Sequence, residues 1–95
     1  MSITYCNSCY TDELFGVYPF LDDVEIYTVD WYDLPYGVLA ATNGKDKVFV
    51  RKDLPLDLFR HSLFHEFEHI LDPYASEFEI EKRARRKSGY GNYIA

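Results

Sequence analysis

Two histidines four residues apart, His65 and His69, with Glu66 beside the first, form the part of this sequence best equipped for chemistry. On a helix of 3.6 residues per turn, both imidazoles project from one face one turn apart, close enough to share a metal ion. Imidazole nitrogen is a good donor to zinc, and two of them leave a tetrahedral shell open to one further protein ligand and a water. Glu66 is then placed to take a proton from a water attacking a carbonyl. A shuffled chain of this composition shows the pattern roughly once in 150, so its weight depends on what the rest of the chain supplies.

The helix must be held by its other face. Leu63, Phe64, Phe67, Ile70 and Leu71 follow i, i+1, i+4, i+7, i+8 spacing and are the expected core stripe. Asp53 is the expected N-cap with Pro55 in the first turn, and Asp72-Pro73 ends the helix at Leu71. Ser76 and Glu79 have capping-box spacing, predicting a second helix that runs to about Lys87 and stops at Gly89. Glu77, Ile80, Glu81 and Ala84 share one face of it, while Glu79 and Arg83 have the spacing of a solvated ion pair. The short turn over residues 72–76 folds this helix back along the first and brings Glu77 or Glu81 near His65 and His69. Two His and one Glu with an open fourth position is a catalytic zinc arrangement. His61 continues the histidine stripe one turn earlier, too far along a straight helix to share an ion with His69. It is expected to be an outer partner of the site or a solvated side chain. The basic residues from Lys82 to Lys87 read as a solvated last turn favoured by the helix dipole.

Upstream, the alternating, β-branched residues 24–29 predict a strand, and residues 38–42 and 47–51 flank Asn43-Gly44, a strong hairpin signal. A small three-stranded antiparallel sheet is the expectation, with the strand around residues 48–50 offered to an extended substrate. Residues 2–15 carry weak helical periodicity closed by Gly16 and Pro19, so an N-terminal helix is expected. The predicted fold is α+β, one domain over residues 1–95. An apolar share of 47%, with 9 Tyr and 7 Phe, argues for a folded chain, and a net charge of −6 argues against nucleic acid as a direct partner. No apolar run is long enough to span a membrane, and the first residues lack the pattern of a signal peptide, so a cytoplasmic location is expected. Cys6 and Cys9 read as ordinary thiols.

Together these residues resemble the ImmA/IrrE family of zinc metallopeptidases, found in phages, mobile genetic elements and bacterial stress responses. The resemblance runs over about residues 35–86: Gly37 before a hairpin, Leu54, Arg60 and Leu63 leading into His-Glu-x-x-His, then Glu81-x-x-Ala84. It implies that His65, His69 and Glu81 bind Zn2+ and that Glu66 is the general base. Minimal gluzincin-type peptidases are a neighbouring resemblance. Glu81, a turn deeper than Glu77, set between Ile80 and Ala84 and level with the space between His69 and His65, is the expected third ligand ahead of Glu77, and the resemblance points the same way. The implied activity is hydrolysis of a protein, such as a transcriptional repressor, by a zinc metalloendopeptidase. A zinc-bound interaction module with an idle site is the competing expectation. Glu68 stands where the family usually has a small residue.

Overall fold

The computed structural model describes residues 4–5 and 23–89. In chain order come β1 (Thr4–Tyr5), β2 (Glu25–Val29), a 3-10 turn (Trp31–Asp33), β3 (Ala40–Thr42), β4 (Lys47–Arg51), α1 (Leu56–Leu71) and α2 (Glu77–Ser88). The fold is α+β, as expected. Its mixed sheet has three main strands in the order β2-β4-β3, with the two-residue β1 beside β2.

The sheet is not antiparallel throughout. β3 and β4 form the predicted hairpin, Ala41 opposite Phe49, but β4 runs parallel to β2, with Ile26 opposite Val48 and Thr28 opposite Val50. The reason lies in the connection after β2. The chain turns at Trp31–Asp33, passes Gly37 at φ 82° and enters the sheet one place away as β3. The hairpin then returns β4 into the gap, which fixes its direction parallel to β2. At the hairpin, Asn43 Oδ1 accepts hydrogen bonds from the backbone N–H groups of Lys45, Asp46 and Lys47 at 2.9–3.1 Å.

One face of the sheet carries Ile26, Val48 and Val50, all buried against Leu63, Phe64 and Phe67 of α1 and Ala84 of α2. Each large apolar side chain removed from water contributes about 1.5–3 kcal/mol. This layer therefore fixes the rotation of α1, and with it the direction of the histidine stripe. Leu71, the last residue of α1, is 53% exposed rather than part of the core.

Helix ends follow the sequence in part. Ser76 Oγ accepts from the Glu79 N–H at 3.2 Å, and Gly89 closes α2 in the left-handed region with its N–H on Arg85 O. Asp53 does not cap α1. Its carboxylate is held by the Arg51 guanidinium at 2.9 and 2.7 Å, and the helix starts later, with Pro55 at the cap position. Arg83 pairs with Asp72 in the turn at 3.0 Å, which ties the two helices together at their junction. The expected N-terminal helix falls outside the described residues except for Thr4–Tyr5, which are strand. Cys6 and Cys9 also lie outside them.

Candidate metal centre

The helical hairpin sets two ladders face to face. His61, His65 and His69 rise along α1 at i, i+4, i+8, and Glu81 and Glu77 answer them from the antiparallel α2. At one end, the two oxygens of Glu77 face two rings. Oε2 lies 3.1 Å from His65 Nε2, and Oε1 lies 2.9 Å from His69 Nε2. One turn away, Glu81 Oε1 lies 2.9 Å from His65 Nδ1 and 3.0 Å from His61 Nε2. Arg85 Nε donates to Glu81 Oε2 at 2.9 Å. His61 Nδ1 in turn lies 3.2 Å from Ser88 Oγ, and the Arg60 guanidinium donates to Ser88 O.

The structure thus brings all four sequence-predicted residues, Glu66, His65, His69 and Glu81, to one cleft, but not in the predicted set. Glu77, rather than Glu81, meets the Nε2 atoms of both motif histidines. Glu81 sits on the other nitrogen of His65. The physical cause is a one-turn degeneracy. An i, i+4 pair on each helix allows two registers, and the sequence does not say which Glu stands opposite which gap. His61, expected at the edge of the site, is 6% exposed and built into it. Its spacing to His65 repeats that of His65 to His69, and that repetition was the available signal.

Two groups of side chains could hold a metal ion, His65–His69–Glu77 and His61–His65–Glu81, with donor atoms in each all within 4.8 Å of one another. In the first, the two His–Glu contacts, 3.1 and 2.9 Å, are hydrogen-bond distances to different Glu77 oxygens, which a bound ion would replace with metal bonds of about 2.1 Å. The donor chemistry, two imidazoles and one carboxylate, also suits zinc.

Electrostatics separates the carboxylates. Glu66 is 7% exposed and lines the same cleft. Burial pushes its pKa up to about 7, with the Glu77 charge adding to the rise and His65 opposing it. Burial also disfavours the charge on Glu81, but the His65 hydrogen bond, His61 and Arg85 outweigh it and hold this carboxyl below its ordinary value. His61 is pulled below the ordinary histidine value, chiefly by burial, against the pull of Glu81. Glu68, next to His69, points the other way. It is fully buried and accepts from Lys87 Nζ at 2.5 Å.

The cleft, of about 900 Å³, is closed on its far side by the chain from Gly37 to Gly44, including all of β3. Among the described strands β3 is an edge, whereas β4 is flanked on both sides. The expectation that residues 48–50 would receive an extended substrate is therefore corrected, since that backbone already pairs with β2 and β3. Leu39 O accepts from Arg51 N–H and Asn43 N–H donates to Lys47 O. In this antiparallel ladder, the intervening Ala40 and Thr42 turn their backbone groups outward. No helix among the described residues is long and apolar enough to cross a membrane. No family model matches the chain, and no curated protein or solved structure matches it either.

Proposed function

We propose that this chain is a zinc-dependent peptidase whose metal is held by His65 Nε2, His69 Nε2 and the Glu77 carboxylate. The observation that carries the reading is the convergence of those three donors on a cleft that also holds a buried glutamate and a sheet edge. A zinc ion bound there would supply Lewis acidity toward a scissile carbonyl.

The chain's own residues supply the rest. Glu66 adjoins a ligand, its pKa is raised to about 7 in the metal-free fold, and its carboxyl is the group placed to accept and return a proton. The outward N–H and C=O groups of Ala40 and Thr42 can hold an extended peptide as an added strand across the cleft. Small side chains at Ala40 and Ala41 leave room for that peptide to approach. Phe64 and Phe67 of α1, packed in one core with Ala84 of α2, keep the two helices in the register that sets His65 opposite Glu77. The substrate class is a protein segment in extended form, and the resemblance points to a regulatory protein of a phage or mobile element, such as a repressor.

Glu66→Gln tests the reading, because it removes the proton acceptor and keeps the shape. The zinc-loaded wild type should cut a subset of an unbiased peptide library, and the variant should lose this by at least about 100-fold while keeping its zinc. Equal behaviour of the two proteins would refute peptidase activity and support an interaction module.

A further inference from the structure

We propose that His61, seated on Ser88, is a positioning residue that decides which nitrogen His65 offers to a metal, acting through the Glu81 carboxylate. The inference rests on the reading of His65 as a ligand through Nε2. A neutral imidazole has one N–H and one lone pair, and the partner of one nitrogen selects the role of the other. Glu81 Oε1 lies 2.9 Å from His65 Nδ1. An ionised carboxylate only accepts, and each ring nitrogen faces one, Glu81 at Nδ1 and Glu77 Oε2 at 3.1 Å from Nε2. Glu81 is the nearer, and its side chain is 34% exposed against 74% for Glu77, where water competes, so Nδ1 carries the proton and the lone pair is left on Nε2. That nitrogen is the one that faces Glu77 Oε2. Glu81 therefore orients His65 as an outer carboxylate orients a metal-binding histidine.

Glu81 reaches this place from a flexible side chain, and two donors fix it there. Arg85 Nε, one turn along α2, donates to Oε2. His61 Nε2 lies 3.0 and 3.1 Å from the two oxygens and comes from the opposite helix. With its proton on Nε2, His61 presents Nδ1 as an acceptor, and the Ser88 hydroxyl at 3.2 Å donates to it. A chain of donors thus runs Ser88, His61, Glu81, with His65 donating to the same carboxylate from the other side. Every N–H and O–H in it has an acceptor when His61 carries its proton on Nε2 and His65 on Nδ1. His61 is 6% exposed in the cleft wall, so water has little access to its side of the arrangement.

The test reads protons first and metal second. The chain has three histidines, so long-range proton–nitrogen spectra of the zinc-free full-length protein at pH 8 resolve each ring. His65 should carry its proton on Nδ1 and His61 on Nε2, and a wild type with the His65 proton on Nε2 overturns the proposal. His61→Leu should return His65 toward the Nε2–H form and weaken zinc binding by about 10-fold or more in a chelator competition. His61→Gln keeps an N–H in the place of Nε2 and should recover most of that loss. Ser88→Ala, a smaller change, should disturb the His61 proton and weaken zinc by a lesser factor. Wild-type zinc affinity and an unchanged His65 proton in His61→Leu would overturn the proposal. So would loss of a second equivalent of zinc in that variant, which would make His61 a ligand. A wild type that takes no zinc but keeps the proton pattern overturns the metal reading and leaves the positioning of His65 standing.

Discussion

Burial of Glu66 makes a prediction about stability that needs no substrate. The carboxyl goes from an ordinary pKa of 4.5 in the unfolded chain to about 7 in the fold, with burial the leading cause. The folded state therefore holds the proton more tightly than the unfolded one. Its contribution to stability is fully present below pH 4.5 and is lost as pH rises through about 7. At 1.36 kcal/mol for each pH unit between the two values, the loss comes to about 3 kcal/mol. A domain with a total stability of about 5–15 kcal/mol will show this clearly. Glu66→Gln has no proton to lose, so its stability lacks this component. Denaturant unfolding of the metal-free wild type and variant, measured from pH 4.5 to 8, gives the difference directly. The variant should gain on the wild type by about 3 kcal/mol across that window, with most of the gain between pH 5 and 7. A constant difference across the range, or a wild type that gains on the variant, would refute the argument that Glu66 is desolvated in the fold.

Other substitutions test other parts of the site. Glu77→Gln should weaken zinc binding by more than about 100-fold and Glu81→Gln by about 10-fold, measured by competition with a chromogenic chelator; the reverse order would make Glu81 the ligand. Lys87→Met removes the ammonium that donates to the buried carboxylate of Glu68 and should destabilise the fold by about 3 kcal/mol in denaturant unfolding, with Glu68→Met added in the same chain restoring most of it. Ser76→Ala removes the cap that accepts the Glu79 N–H and should lower stability by about 1 kcal/mol.

The sequence was most legible where local signals agree. The apolar stripe through Leu63, Phe64 and Phe67, the stop at Asp72-Pro73 and the Ser76 and Gly89 caps placed both helices within a few residues. Asn43-Gly44 located the hairpin for a similar reason, since few residues accept the positive φ of 78° seen at Gly44. Partner choice was not legible. Alternation in residues 24–29 marks a strand but says nothing about its neighbour or direction, so the parallel pairing of β2 with β4 was missed. Charges misled for the same reason. Asp53 could cap a helix or meet Arg51, and Arg83 could pair within its helix or across the turn to Asp72; in both cases the choice depends on tertiary geometry. The site shows this limit most plainly. Equal four-residue steps on α1 and α2 make Glu77 and Glu81 equivalent in sequence, and the packing of Ala84 against α1 selects between them.

The central claim is that His65, His69 and Glu77 form a zinc site, and metal content tests it most directly. The full chain should be reconstituted with zinc, freed of excess by gel filtration, and analysed for zinc and protein together. The account predicts close to one zinc per chain, falling to near zero in His65→Ala and His69→Ala, with thermal stability lowered in the wild type by chelation. Wild-type protein that is folded but retains no zinc would contradict it.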